Sequence, residues 1–353
     1  MTDTTREELI ALVEAGEIVS EASLVGVDLS GLDLSGAVFE RSDLTRANLS
    51  GTRLKESALI ECKLGGANLT GANLQLVQLH GSSFEQAILR GARLVTLQAH
   101  RSSFVGADFA GADLELAAFA SCDLRAAVMR DAHLAAAALV ECDVRGLDLS
   151  GTLVERTTII AADLTSCLLE GTGFRQSVLL KCNLTGLDLR DRPLTLTSFM
   201  DSELTGCDLR NADLRQCNFK GSNLAGAELD GAKAPNVLFV EAKLAEASVK
   251  KANLHGAIFV GADVSRADFT GSDMRQVILK GATCRGAVFE SVDLGEADLS
   301  YADVSLATFL SATLFRTRLH CITEDRTLFG PTRAAALGTD EELARAERFE
   351  PKY

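Results

Sequence analysis

Ala47-Asn48-Leu49-Ser50-Gly51, Ala67-Asn68-Leu69-Thr70-Gly71 and Ala107-Asp108-Phe109-Ala110-Gly111 share one five-residue pattern. A small residue is followed by Asp or Asn, then Leu or Phe, then a small polar residue, and often Gly. The large apolar centre falls at Leu24, Leu29, Leu34 and Phe39 and at every fifth position to Leu319, sixty units without insertion or deletion. Only Ala99, Ala234 and Cys284 place something small at the centre, and none of them is charged. A register held for 300 residues is an internal repeat, and it sets the fold.

A period of five matches neither an amphipathic helix at 3.6 residues nor a lone strand at 2. It suits a chain that turns a corner in every unit. The centre and the residue two before it then face inward, and the other three face water. The array from Ala22 to Cys321 resembles the pentapeptide-repeat family. That resemblance implies an all-β solenoid, a right-handed quadrilateral β-helix of about 15 coils with four units each. At a coil spacing of ~4.8 Å such a rod would be roughly 70 Å long. Its core would be ladders of like residues: Leu204, Leu224 and Leu244 on one wall, Phe199, Phe219, Phe239 and Phe259 on another. Each buried Leu or Phe contributes ~1.5–3 kcal/mol before entropy is counted.

The unbroken register divides the 353 residues into three segments. These are an N-terminal capping helix at 1–21, the β-helix at 22–321, and a C-terminal cap or tail with short helices at 322–353. Thr5 with Glu8 three residues on forms a capping box, Leu9, Ile10, Leu12 and Val13 supply an apolar stripe, and Gly16 stops the helix. After Ile322 the pattern ends. Gly330-Pro331 marks a turn; Thr332 to Leu337 predicts a short helix, and Thr339-Asp340-Glu341-Glu342 opens another that runs to about Arg348. The open ends of a solenoid are sheet edges and need covering; the tail either caps the last coil or serves a partner.

Three departures from the pattern predict local irregularity. Arg192-Pro193-Leu194 puts a charge in an inward slot and removes a ladder donor, so a bulge is expected there. Ala232-Lys233-Ala234-Pro235 predicts a second irregularity, and Ala99 beside Gln98 and His100 a shallow void; for all three the alternative is drift tolerated within a redundant array. Seven of the nine cysteines (Cys62, Cys122, Cys142, Cys167, Cys182, Cys207, Cys217) occupy the small inward slot, and Cys284 is a centre. No CxxC pair or zinc-like spacing accompanies them, so they read as core filler.

The net charge is −14, and direct nucleic-acid binding is not expected. The wall centred on Leu24 carries 9 acids and 7 bases, the Leu29 wall 12 and 6, the Leu34 wall 9 and 9, and the Phe39 wall 6 and 6. Some pentapeptide-repeat proteins inhibit DNA gyrase as DNA-like acidic rods, so the resemblance implies an alternative function as a DNA-mimicking topoisomerase (gyrase)-binding inhibitor or protection protein. DNA carries a charge every ~1.7 Å, however, and the most acidic wall here has a surplus of only six acids.

The Phe39 wall differs from the others. Beside its centres stand Val38, Ile60, Val140, Ile160, Val178, Leu180, Met200, Leu238, Val240, Ile258, Val260 and Ile278, with Ala118, Ala120 and Ala138 among them. On the other walls these places hold mostly Asp, Asn, Arg, Ser or Thr. A strip of this kind would expose on the order of 500 Å². Either a β-branched outer face stabilises a flat sheet, or the strip is a docking surface for a protein partner or a second copy about a two-fold axis.

Catalytic motifs are absent in their required settings: no Walker loop, GxGxxG, HExxH or GxSxG. The Asp before many centres reads as a corner residue that bonds nearby backbone. His80 and His100 fall on adjacent coils with Glu61 nearby by register, but solvated histidines are the reading adopted, with no metal, cofactor-binding or catalytic residues assigned. The N-terminal run into Gly26-Val27-Asp28-Leu29-Ser30-Gly31 also resembles repeat proteins associated with type VI secretion accessory components, which implies an effector-handling adaptor in a bacterium. An acidic N-terminus and the lack of a long apolar run point to cytoplasmic residence. Taken together the expectation is a non-enzymatic interaction scaffold or adaptor without cofactor. Its partner would be an unidentified protein, a second copy in a homodimer, or both, with no nucleic acid, membrane or small-molecule substrate.

Overall fold

The corners come first, because each unit makes one. In most, the amide three residues after a centre returns to that centre's carbonyl, as Ala47 N does to Leu44 O at 3.0 Å. The residue between, two after the centre, has positive φ in nearly every unit: Gly26, Gly31 and Gly36, but also Arg46, Gln86 and Asn211, with Ser166 an exception. This is the type II turn geometry, which favours Gly or Asn at that place. The Asp or Asn before the centre braces the corner from outside. Asp28 Oδ1 accepts from Ser30 N at 3.0 Å, and Asp263 Oδ1 from Ser265 N at 3.0 Å.

The computed structural model describes residues 2–349. Met1 and residues 350–353, the outer ends of the 1–21 and 322–353 segments, lie outside the described residues. The chain divides into two compact units, Met1–Val178 and Leu179–Tyr353. Both are parallel β-solenoids in which residues twenty apart pair: Asp28 with Asn48 and Asn48 with Asn68 in the first, Asp208 with Glu228 and Glu228 with Ser248 in the second. Four corners per coil give the four walls. Pairing from one coil to the next starts at Thr2 opposite Ala22 and ends at Leu337 opposite Arg318. That is wider than the 22–321 array and gives about sixteen turns, about eight in each unit, where the repeat count alone predicts about 15.

In the first unit the Phe39 wall is a run of short parallel strands from Val19–Ser20 and Val38–Glu40 to Thr158–Ile160. Side-chain chemistry at the adjoining corner explains why strands form here. Ala22 N donates to Ser42 Oγ of the next coil at 3.1 Å, and that hydroxyl donates to Val19 O at 3.0 Å. Ser82 stands likewise between Cys62 N and Leu59 O. The hydroxyl replaces the turn's own hydrogen bond and leaves the wall straighter. In the second unit Ser222 Oγ instead returns to Phe219 O of its own turn, and isolated bridges take the place of strands.

The core is the ladder of centres. Phe199, Phe219, Phe239 and Phe259 stack at centroid distances of 5.0, 5.1 and 4.8 Å. Phe269, Phe289, Phe309 and Phe329 form a second stack at 5.2, 4.8 and 5.0 Å. The spacing is the coil rise itself. Cys62, Cys122, Cys142, Cys167, Cys182, Cys207, Cys217 and Cys284 are all buried. Burial pushes the Cys62 and Cys207 thiols up to about 11 and Cys167 up to about 12, which keeps them protonated and inert.

The expected bulges at Arg192-Pro193-Leu194 and at Ala234 do not form. Pro193 still bridges Asp213, and the flanking bonds, Leu194 N to Asp213 O and Asp213 N to Arg192 O, are both 3.0 Å. One missing donor is too little to shift a ladder held on both sides. Ala234 is fully buried and bonds Asn253 O in register.

At the N-terminus α1, Arg6–Glu14, has the Thr5–Glu8 capping box and buries Leu9, while Thr2–Asp3 pairs with Ala22–Ser23. At the other end Glu324 occupies a centre position, yet the coil continues: Thr323 bridges Asp303 and Phe329 stacks on Phe309. The helix predicted at 332–337 is a 3₁₀ turn at Pro331–Ala335, after which Leu337 returns to bridge Arg318. The last helix, α2 at Glu341–Glu347, is capped by Asp340. Thr339, the first residue of the predicted box, accepts from Cys321 N instead.

Candidate partner-binding face

A centre points inward, so the residues on either side of it point out. In the first unit Val38, Ile60, Val140 and Ile160 are half-buried against the neighbouring coils, and Val178 is 37% exposed. In the second, Leu180, Met200, Leu238, Val240, Ile258 and Ile278 are half-buried and Val260 is 36% exposed. The tract is not uniform. Glu40, Gln78, His80, Gln98 and His100 interrupt it in the first unit, Asn218 and Lys220 in the second. Its unbroken parts are Ala118 to Val140, beyond which Thr158 stands beside Ile160, and Leu238 to Ile278, where Leu238, Ile258 and Ile278 bridge one another.

His80 and His100 stack with centroids 5.3 Å apart and planes within 12°, their Nδ1 atoms 3.4 Å apart. They flank a shallow depression over Ala99, lined also by Ala58, Ile60, Ala118 and Ala120. Ala99 itself faces inward and is buried, so this depression lies on the outer side of its strand. Among the described residues, Glu61 does not join the two histidines in a three-donor group.

Some of the acids are engaged by the chain's own arginines. In Asp-Leu-Arg units the guanidinium folds back on the carboxylate two residues before it: Arg190 on Asp188 at 2.6 Å and Arg215 on Asp213 at 2.6 Å. Arg190 also reaches Asp208, and Arg210 reaches Glu228. The Arg190 guanidinium holds the Asp188 carboxyl down at about 2, and Arg210 and Arg275 lower Asp208 and Asp273 in the same way.

A second apolar feature lies outside the assigned residues, in the last coils of the second unit. Leu306, Leu310, Phe315, Leu328 and Phe349 are exposed, Phe315 by 57% and Phe349 by 74%. Next to them, His320 is held in a cavity lined by Tyr301, Arg318, Asp340 and Glu347. Its Nδ1 accepts from Asp340 N at 3.1 Å, its Nε2 lies 3.2 Å from Glu347, and Tyr301 also donates to Glu347. Cys321 Sγ is 3.4 Å from the same Nε2. A backbone N–H can only donate, so the ring proton sits on Nε2 and faces the carboxylate. The imidazole has no free lone pair to take the thiol's proton, so this Cys–His contact is not an activated nucleophile.

Among the described residues no helix is long and apolar enough to cross a membrane. No curated protein matches the chain. Among solved structures it is similar to QnrB1, a plasmid-mediated fluoroquinolone resistance protein, in a trypsin-treated form: 20% identity over 50% of this chain and 89% of that one, TM-score 0.40. It is similar to HetL, involved in heterocyst differentiation regulation in the cyanobacterium Nostoc sp. strain PCC 7120: 20% identity over 90% and 97%, TM-score 0.21. A third is Rfr23 from the cyanobacterium Cyanothece 51142, with 21% identity over 43% and 90% and a TM-score of 0.20. The family model for pentapeptide repeats matches in eight copies, over 22–59, 54–91, 160–191, 197–237, 238–276 and 277–318. With more than half its length matched in this way, and with a corner at every fifth residue, the chain belongs to the pentapeptide-repeat family.

Proposed function

We propose that this protein is a non-enzymatic, cytoplasmic interaction scaffold that binds another protein, or a second copy of itself, through the apolar tract of the Phe39 wall. The observation that carries this reading is the tract itself: aliphatic side chains stand at outward positions on consecutive coils, from Leu238 to Ile278 and from Ala118 to Val140. Outward positions on the other walls are mostly polar, with exposed aliphatics such as Leu76, Leu116 and Leu196 scattered among them. A regular ladder of half-buried aliphatics presents a flat surface with little side-chain entropy to lose, which favours association of flat apolar faces. The resemblance to secretion-associated repeat proteins makes an effector or its delivery machinery the first partner to try in a pull-down.

The DNA-mimic alternative is disfavoured by the pairing of Asp188, Asp208, Asp213 and Glu228 with Arg190, Arg210 and Arg215. A mimic needs unpaired negative charge along its length, and these carboxylates spend theirs within the chain. The test is mass by light scattering on the wild type and on Leu180→Glu with Val240→Glu. The scaffold reading expects a dimer, or a captured partner, that the double variant loses while its thermal melting is kept. A wild type that is monomeric and partnerless in host lysate, or a double variant that associates unchanged, removes the reading. Inhibition of gyrase supercoiling by the wild type would favour the alternative.

A further inference from the structure

We propose that Asp113, Glu115 and His133 form a binding site for one divalent transition-metal ion, on the Leu34 wall of the first unit. Asp113 and Glu115 flank the buried centre Leu114, so both side chains leave the same wall. His133 flanks Leu134 on the next coil, and the Asp113–His133 backbone bridge sets it directly beside Asp113. One carboxylate oxygen from each acid and one ring nitrogen lie within 4.8 Å of one another. His133 Nδ1 is 3.2 Å from Asp113 Oδ1. Two ligand atoms ~2.0–2.2 Å from a shared ion stand roughly 2.9–3.5 Å apart at octahedral or tetrahedral angles, so this spacing fits an edge of a coordination sphere.

The coil geometry supplies what a surface cluster usually lacks, a fixed backbone under each donor. Asp113 N bonds Ala92 O, His133 N bonds Ala112 O and Leu116 N bonds Ala135 O, at 2.9 to 3.0 Å. Ala135 is the residue stacked over Glu115, and its methyl leaves the longer side chain room to lean towards His133. The donor set is one imidazole and two carboxylates with the outer side open to solvent, where water or a partner's side chain completes the sphere. Arg93, bridged to Asp113 from the preceding coil, lowers the local negative potential. Ions held by charge alone, such as calcium, are thereby disfavoured, and the imidazole selects Zn²⁺, Co²⁺ or Ni²⁺. Among the described residues, the His80–His100 pair has no third donor of this kind.

The experiment titrates the metal-free full chain with zinc chloride by calorimetry and with cobalt chloride by visible absorption. One equivalent is expected to bind, to give a Co²⁺ ligand-field band and to be stripped by EDTA. His133→Ala should weaken that binding roughly tenfold or more, and Asp113→Asn and Glu115→Gln should weaken it to a smaller extent. The double variant His80→Ala, His100→Ala and the variant Cys321→Ser should leave it unchanged. Absence of saturable binding overturns the site, as does retention of full affinity in His133→Ala, or loss of the equivalent with the His80/His100 or Cys321 variants. Should His133→Ala melt far below the wild type, Asp113→Asn and Glu115→Gln, which keep size and shape, decide the matter by the same readout.

Discussion

Gly231 and Gly226 stand in the same place of successive units, two residues after a centre, with φ of +68° and +64°. A side chain at either suffers the left-handed backbone, at a cost of about 1 kcal/mol. Only at Gly231 would a methyl also come within 2.6 Å of Asn211 Oδ1 on the preceding coil; around Gly226 the space is open. Gly231→Ala should therefore lower the denaturant midpoint more than Gly226→Ala, and equal effects would show that Asn211 simply turns aside. The period of five reveals that a corner falls here. It does not reveal which corners carry a neighbour's side chain, because that depends on the rotamer chosen twenty residues away. The Asp113, Glu115 and His133 group escaped the sequence for the same reason: register places them side by side, and only side-chain direction brings the donors together.

At the scale of elements, the ends were less legible than the array. Glu324 at a centre position breaks the apolar pattern, although Thr323, Leu328 and Phe329 still follow the register and build one more coil. A single charged centre at the margin can face solvent, so the sequence pattern stops before the backbone does. The seven-residue α2 is too short to persist alone and is tied down through His320, which accepts from Asp340 N and contacts Glu347. His320→Ala leaves the Asp340 amide without its acceptor and removes one hold on Glu347. Loss of a buried partner costs ~1–3 kcal/mol. Hydrogen exchange over 341–347 is expected to speed up by roughly tenfold or more, while the Leu319–Leu337 bond of the coil keeps its protection. Unchanged exchange in α2 would mean that Tyr301 alone holds it.

For the molecule as a whole, the many Asp corners make stability depend on acid. Asp33, bonded by Ser35 and Arg53, and Asp188, bonded by Arg190, are both held down at about 2, against an unfolded value of ~3.9. A depressed folded value means that the contribution is fully present above about pH 4 and fades as pH falls towards 2. The melting temperature should decline through that window, less steeply in Asp188→Asn and less steeply in high salt, because these carboxylates are exposed and screened. A melting temperature flat from pH 4 to 2 would contradict it. The sequence by itself determined the corner at every fifth residue and the inward ladder of Leu and Phe, since each unit carries its own turn and its own buried centre. The bulges that Pro193 and Ala234 predict do not form, because a ladder bonded on both sides absorbs one lost donor. Only the tertiary structure decided which outward residues meet. Whether Arg190 neutralises Asp188 or leaves it bare, whether aliphatics on successive coils join into a tract, and where His133 points are settled by contacts between coils, and those depend on distance in space, not along the chain.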